Sequence, residues 1–435
     1  MPEDKNNRPD GWESAVLSYE NWLSGGDQAD APNSLPEKEI RSQERRRCQH
    51  LFWGAIRQHR RIQAYIDEVV PRPPGRRIGS LLAIALFDLL DTARTRPERC
   101  PKVVHHAVDR GRHLASPKES GLVNAVLRRA LREDWPLAPE PGDPNAWGLY
   151  FSHPDAWVDR WLQTFGPEPT RDLLRWNQQP ADTYLRLEAG TEPPSGAEPT
   201  DWAGFFRLVK GAVDWSAVET LLSAGHAYIQ DPGTRLAVDQ LAPPSGAACL
   251  DLCGAPGGKG RLMHDRLGPN GSVLSVDRVP AGAERERAWA DNQAAVGGPP
   301  RFQRLNADIG PDLPDRLVAA GHARSWSHVL IDVPCSNSGV FRRRPEARYR
   351  DPATTLETLL PLQARLLVSA AAAVAPGGVL VYSTCSLEPE ENERQVERFL
   401  ASEIGRAFRL TGQVLARPWE TGHDGAGASR LERVG

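Results

Sequence analysis

Apolar positions along this chain change rhythm twice. Between residues 40 and 132 they recur at helical spacing. Cys48, Leu51, Phe52, Ala55, Ile56 and Ile62 mark one stretch, and further helices are expected over 78–92, 101–114 and 119–132. In the last of these Leu122, Val123, Ala125, Val126 and Leu127 face inward while Arg128, Arg129 and Arg132 face out, as an amphipathic helix requires. A less regular segment follows, with helices expected at 156–165 and 171–177 and strands at 184–188 and 205–209. A Pro- and Gly-rich break at 192–199 separates those strands. From about residue 240 short apolar strands alternate with helices, at 247–252, 272–277, 302–306, 327–332 and 378–383. Strand, helix, strand repetition with buried strands predicts an α/β domain: a doubly wound, mostly parallel sheet with helices on both faces.

Composition adds boundaries to this picture. Residues 1–40 carry nine acids against three bases among Pro, Gly, Asn and Ser, so they are expected to form an acidic, disordered tail. Residues 135–147 contain four prolines and read as a linker. The expected organisation is therefore a tail at 1–40, an all-helical domain at 41–136, a linker with a small mixed subdomain at 137–235, and the sheet domain at 236–435. A length of 435 residues accommodates such an arrangement. No apolar run reaches the roughly 18 residues of a membrane span, so a soluble, cytoplasmic protein is expected. Six cysteines without metal-ligand spacing predict free thiols and no metal site.

The net charge of −3 argues against nucleic acid as a partner, but 47 of the 53 basic residues are arginine and they cluster. One cluster, between residues 41 and 61, suits either a solvated helix face or a face turned to RNA. A second, Arg342, Arg343, Arg344, Arg348 and Arg350, follows the strand at 327–332 and is expected to hold RNA phosphates.

The chemistry concentrates where strands end. Cys385 follows the strand 378–383, and the strand 327–332 runs through Asp332 into Pro334-Cys335. Two thiols and a carboxylate are thus expected on the carboxyl edge of the sheet, where open parallel sheets place their sites. Cys385 is the expected nucleophile. The first strand enters Asp251-Leu-Cys-Gly-Ala-Pro-Gly-Gly-Lys259-Gly, a glycine-rich turn opening a helix, with neither dinucleotide nor P-loop spacing. Asp277 closes the second strand, where an acid takes ribose hydroxyls, and Asp308 follows the third, where an acid suits an adenine amino group. Two such acids without a phosphate cradle suit S-adenosylmethionine better than NAD or ATP.

Taken together, Asp251 to Lys259, Asp332-Val-Pro-Cys335-Ser-Asn-Ser-Gly339 with Arg342-Arg-Arg-Pro-Glu-Ala-Arg348, and Ser383-Thr-Cys385-Ser with Pro389-Glu-Glu-Asn392 resemble the Sun or RsmB family of RNA (cytosine-5) methyltransferases. Residues 81–132, ending Gly121-Leu-Val-Asn124-Ala-Val-Leu-Arg128, look like that family's NusB-type RNA-binding domain, and His153-Pro and Asn177-Gln-Gln-Pro180 match its intervening segment. The resemblance implies a Rossmann-like methyltransferase domain behind a NusB-like domain. It implies that Cys253, Gly254, Ala255, Pro256, Gly257, Gly258, Lys259, Asp277, Asp308 and Asp332 hold S-adenosylmethionine. Cys385 would attack the base, Asp332 would hydrogen-bond or protonate ring nitrogen 3, and Cys335 would serve release. Small-subunit (16S) ribosomal RNA is the implied substrate, met by a monomer away from any membrane. A DNA-type enzyme would use Cys335 as nucleophile instead, and a non-catalytic RNA-binding assembly factor is the further alternative. Gly254 and Gly260 depart from the family's Ala and hydroxyl residue, and His423-Asp-Gly-Ala-Gly427 lacks its aromatic pair.

Overall fold

The computed structural model describes residues 10–25, 42–114, 116–278 and 301–434. Its contacts divide the chain into two compact units, residues 1–180 with 344–351, and residues 181–343 with 352–435. The expected linker and mixed subdomain is thus split at residue 180 between them.

The first unit is helical. Helix α1 (Gly11–Leu23) opens at Asp10, whose carboxylate accepts from the Trp12 and Glu13 amides. Trp12, Ala15, Val16, Tyr19 and Trp22 form one stripe, buried against Cys48, Phe52 and Ala55 of α2 (Ser42–Arg57) and Leu81 to Leu86 of α4 (Arg76–Thr95). This corrects the expectation of a disordered tail over residues 11–23. The acids there are paired, Asp10 and Glu13 with Arg110 at 2.9 Å each and Glu20 with Arg77 at 2.5 Å. Counting charge over 40 residues concealed an aromatic stripe with the period of a helix. Residues 1–9 and 26–40 of that expected tail lie outside the described residues.

The stretch of helical spacing from Cys48 to Ile62 breaks at Gln58 into α2 and α3 (His59–Val69). α5 (Cys100–Leu114) and α6 (Pro117–Arg132) complete the bundle around α4. The proline-rich stretch is not a linker. Trp135 stacks on Tyr65 with ring centroids 4.8 Å apart, and Glu140 pairs with Arg171 and Arg175. Trp147 begins the short helix α7 (Trp147–Tyr150) and is buried. α8 (Asp155–Phe165) and α9 (Pro167–Gln178) belong to the same unit. Part of the 41–61 arginine cluster also turns inward. Arg57 and Arg61 are buried, the latter over the rings of Trp135 and Tyr150 at 5.2 and 5.0 Å, while Arg60 pairs with Asp155 at 2.6 Å.

The second unit carries two sheets. Strands β1 (Tyr184–Leu187), β2 (Ala197–Pro199), β3 (Phe205–Leu208) and β4 (Ala227–Ile229) form an antiparallel sheet in the order β2-β3-β1-β4, with α10 (Trp215–Ala224) leading into β4. The larger sheet contains β5 (Ala248–Leu252), β6 (Ser272–Asp277), β7 (Phe302–Asn306), β8 (Trp326–Asp332), β9 (Val374–Thr384), β10 (Phe408–Ala416) and β11 (Ala426–Arg433). Its order is β10-β11-β9-β8-β5-β6-β7, parallel from β5 to β9 and antiparallel in the last two strands. α11 (Arg235–Leu241) and α12 (Gly258–Leu267) supply Val238, Leu241, Leu262 and Met263 to the core on one face. α13 (Leu313–Ala319), α14 (Pro352–Ala372) and α15 (Glu393–Ala401) bury Leu317, Leu367 and Val396 on the other. The doubly wound, mostly parallel sheet is therefore present, with an antiparallel pair that the strand pattern did not announce. No helix among the described residues is long and apolar enough to cross a membrane.

Two outcomes follow for the helical unit. Trp12→Ala empties a fully buried site, so the unit should lose about 3–5 kcal/mol of stability in denaturant unfolding, whereas a dispensable tail would show no change. His59 is packed against Tyr19, Trp22 and Tyr349, and burial lowers its pKa to about 4. The folded unit holds it neutral, so its contribution to stability is complete above pH 6.5 and is lost as pH falls through 4. The fall in melting temperature from pH 7 to pH 4 should be smaller in His59→Gln than in the parent protein.

Candidate active site

β8 and β9 are neighbours in parallel register, with Asp332 opposite Ser383. That pairing brings their carboxyl ends together. Ser383 Oγ donates to Asp332 Oδ1 at 3.0 Å, and Lys259 Nζ, arriving from the first turn of α12, donates to Oδ2 at 2.6 Å. Burial alone would lower the Lys259 pKa, but the charge of Asp332 and its hydrogen bond outweigh it and raise the value. The Cys385 sulfur acts in the same direction, which puts the ammonium within electrostatic reach of that thiol.

The two expected thiols meet. Cys335 Sγ and Cys385 Sγ are 3.0 Å apart, and the Cys385 amide donates to Cys335 Sγ at 3.3 Å. The Cys385 thiol also donates to Asn337 Oδ1 at 3.2 Å. Cys335 is buried, and its pKa lies well above the usual thiol range. Its hydrogen bond with Cys385 is the largest cause, followed by burial and by the negative charges of Cys385 and Glu391. Asn337 was missed in the sequence. Its φ of 65° lies in the left-handed region that asparagine tolerates, and an Asn two residues beyond a strand-end cysteine was the available signal.

Close backbone packing holds the Cys385 loop. Gly339 N donates to Cys385 O at 3.0 Å and Gly425 N donates to Gly339 O at 2.9 Å. A Cβ at Gly339 would lie 2.8 Å from Cys385 O, and one at Gly425 would lie 2.8 Å from Gly339 Cα, so neither position accepts a side chain without a backbone shift. Asn392 closes the loop from the other side, accepting from Thr384 Oγ1 at 2.7 Å and donating to Ser386 O and Glu388 O at 3.0 Å each. A Cβ on Gly427 would meet Asn392 Oδ1 at 2.2 Å.

The glycine-rich turn wraps a buried carboxylate. Cβ atoms at Gly254 and Gly260 would each stand 2.6 Å from Asp251 Oδ2, so a side chain at either position would make the Asp251 carboxylate shift. Cys253, with φ 57°, and Gly257, with φ 98°, turn the chain in the left-handed region before α12. The Cys253 thiol is pushed far up by burial and by Asp277, Asp332 and Asp251, so three carboxylates surround it. Asp277 Oδ2 accepts from Ala255 N at 2.9 Å, which ties the end of β6 to the turn. Asp308, beyond β7, is exposed and lies 3.6 Å from Arg278. These residues and the first N–H groups of α12, which a helix leaves without internal partners, lie along one carboxyl edge. Acceptors for hydroxyl and amino groups beside a helix amino end fit a nucleoside carrying a carboxylate.

The arginine cluster at 342–350 does not act as one surface. Arg348 is fully buried in the first unit, where it donates to Arg57 O and Asn177 O. In the second unit Arg342 is buried and pairs with Asp182 at 2.8 Å, and Arg343 pairs with Asp424 at 2.6 Å and Asp231 at 3.0 Å. Burial removes Arg342 and Arg348 from the set expected to meet phosphate. Arg344 and Arg350 are exposed.

Comparison with known proteins agrees with this architecture. The family described as 16S rRNA methyltransferase RsmB/F matches residues 238–412, and the NusB family matches residues 23–132. Ribosomal RNA small subunit methyltransferase B of Vibrio cholerae is 28% identical over 410 residues, covering 89% of this chain and 88% of that one. The protein of the same name from Salmonella arizonae is 28% identical over 402 residues, covering 87% and 88%. Among solved structures, PH0851 superposes with a TM-score of 0.73 at 19% identity over 97% of this chain and 98% of that one. NSun6 from Pyrococcus horikoshii, solved with SFG, gives 0.51 at 16% identity over 65% and 98%. The structural likenesses establish the fold, and the sequence matches set the chain beside two families: residues 238–412 are similar to the RsmB/F methyltransferases and residues 23–132 to the NusB family.

Proposed function

We propose that this protein transfers a methyl group from S-adenosylmethionine to carbon 5 of a cytosine in small-subunit ribosomal RNA, through a covalent bond between Cys385 and carbon 6 of the base. The observation that carries this reading is the pair of sulfurs 3.0 Å apart beside the Lys259–Asp332 ion pair. The names of the sequence relatives support the substrate class, and the NSun6 structure, solved with the S-adenosylmethionine analogue SFG, supports the cofactor.

Carbon 5 of cytosine is a poor nucleophile. Addition of the Cys385 sulfur to carbon 6 turns the ring into an enamine that can take a methyl group. The Lys259 ammonium stabilises negative charge on the attacking sulfur. Both Asp332 oxygens already accept hydrogen bonds, from Lys259 and Ser383, so the Lys259–Asp332 pair, with the proton on lysine, serves ring nitrogen 3 as the enamine forms. Asp277 and Asp308 would hold the cofactor's ribose and adenine, and the turn at Cys253 to Lys259 would hold its amino-acid end. The cofactor supplies the methyl group when bound. Water takes the carbon 5 proton, the electrons of that bond restore the carbon 5–carbon 6 double bond and expel the Cys385 sulfur, and Cys335, held as a thiol, donates a hydrogen bond to it as it leaves. The base must be unstacked to enter such a site, which favours single-stranded or loop RNA. Arg344 and Arg350 suit phosphate contacts.

Mapping 5-methylcytosine in ribosomal RNA from cells with and without the protein tests the reaction directly, and an unchanged map would refute it. Cys385→Ser should abolish both methylation and the covalent RNA adduct, because a serine hydroxyl is barely ionised near neutral pH. Cys335→Ala should instead accumulate methylated RNA bound to Cys385 through denaturing electrophoresis. A 5-fluorocytosine substrate that crosslinks to Cys335 rather than Cys385 would overturn the assignment of the nucleophile. Asp277→Ala removes a charged acceptor, worth on the order of 1.5–3 kcal/mol. Calorimetry should show cofactor affinity falling about tenfold to a hundredfold, and wild-type affinity would mean that the cofactor lies elsewhere.

A further inference from the structure

Glu391 stands outside every role described so far. It is fully buried and, among the described residues, forms no ion pair. Its carboxylate is satisfied by neutral donors. Oε1 accepts from Ser336 N at 2.9 Å and from Gln363 Nε2 at 2.8 Å, and Oε2 accepts from Ser336 Oγ at 2.5 Å. Its backbone carbonyl accepts from Tyr382 OH at 2.8 Å. A charge held in this way is costly to bury and is retained only where several donors converge on it.

The placement of those donors matters. Ser336 follows Cys335 directly, and the Gln363 amide that reaches Glu391 also donates to Pro334 O at 2.9 Å, so both neighbours of Cys335 are gripped from one point. From Ser336 the network continues to the other thiol. Ser336 Oγ lies 3.2 Å from Ser386 Oγ, the residue after Cys385, and Ser338 Oγ lies 3.3 Å from the same atom while accepting from Leu387 N at 2.9 Å. The residues on the carboxyl side of both cysteines are therefore joined to each other and to one carboxylate.

We propose that Glu391 is a positioning residue that clamps the Cys335 loop onto the Cys385 loop and sets the two sulfurs in contact. Its catalytic consequence rests on the two-thiol reaction described above, but the clamp does not depend on which sulfur attacks. A carboxylate suits the position: Oε1 faces two N–H donors and Oε2 faces the Ser336 hydroxyl, whereas a glutamine would turn its NH2 toward Ser336 Oγ and make that hydroxyl accept instead of donate. The charge has a second effect, because it lies among the influences that keep Cys335 protonated. Attack by one thiolate and hydrogen bonding by its neighbour need the two sulfurs in different charge states, and a fixed negative charge behind Cys335 favours that division.

The test compares Glu391→Gln and Glu391→Asp with the parent protein, using iodoacetamide alkylation of each thiol across pH, mapped by peptide, together with methyl-transfer kinetics. In Glu391→Gln the loss of charge should move the pH at which Cys335 becomes reactive downward by about one unit or more, and kcat should fall at least about tenfold with cofactor affinity unchanged. Aspartate restores the charge without the reach, so it should return the Cys335 profile toward the parent while kcat stays low. An unchanged Cys335 profile in Glu391→Gln, or a change confined to KM, would overturn the proposal. If Glu391→Gln does not fold, Ser336→Ala removes the hydroxyl that joins the carboxylate to Ser386 with Glu391 in place, and wild-type kcat in that variant would overturn it equally. A parent protein without methyl-transfer activity would count against the reaction, and the alkylation profiles would still decide the clamp.

Discussion

The register of β8 on β9 is the constraint from which the rest of the site follows. Cys335 and Cys385 are 50 residues apart in the chain, separated by α14 and the whole of β9. Parallel pairing that sets Asp332 opposite Ser383 places both strand ends at the same height, and the two following loops then have no separation to cross. A slip of one residue would turn every side chain of β9 to the other face and part the sulfurs. The sheet protects this register by burial on both faces: Val329, Ile331, Leu380 and Tyr382 enter the core covered by α14 and α15, and Leu330, Val379 and Val381 enter the core covered by α11 and α12.

Around that register the site is held by polar atoms and bare backbone more than by apolar packing. Gly339, Gly425 and Gly427 stand where chains approach too closely for a side chain, and Asn392 and Glu391 fill the remaining space with oriented hydrogen bonds. Such networks specify one geometry because each buried donor and acceptor is satisfied only there. The turn at Cys253 to Lys259 is likewise shaped around a polar group. Asp251 occupies its centre, glycines yield to it, and Lys259 emerges from the first turn of α12 to meet Asp332.

Several charges in this chain that look free in the sequence are internal or paired. Arg61, Arg342 and Arg348 are buried against backbone carbonyls, aromatic rings or carboxylates, and Asp10, Glu13 and Glu20 are matched by Arg77 and Arg110. An arginine run therefore says little about a binding surface until the partner of each guanidinium is known. The run at 342–350 is even divided between the two units, since 344–351 belong to the helical one.

Period and strand-end chemistry were legible from the chain itself. Helices and strands repeat at spacings set by backbone geometry, and Cys335, Cys385, Asp332, Asp277 and Lys259 each adjoin a strand or helix end, so local reading found the doubly wound sheet and its reactive edge. The aromatic stripe of α1 was equally local, but averaging the acids around it hid the period. What the chain could not disclose is which residues face one another across long separations. That Lys259 serves Asp332, that Asn337 accepts from Cys385, that Glu391 grips Ser336, and that Arg348 ends in a core are matters of contact. Contact between distant residues is decided by strand order and packing, which no window along the sequence contains.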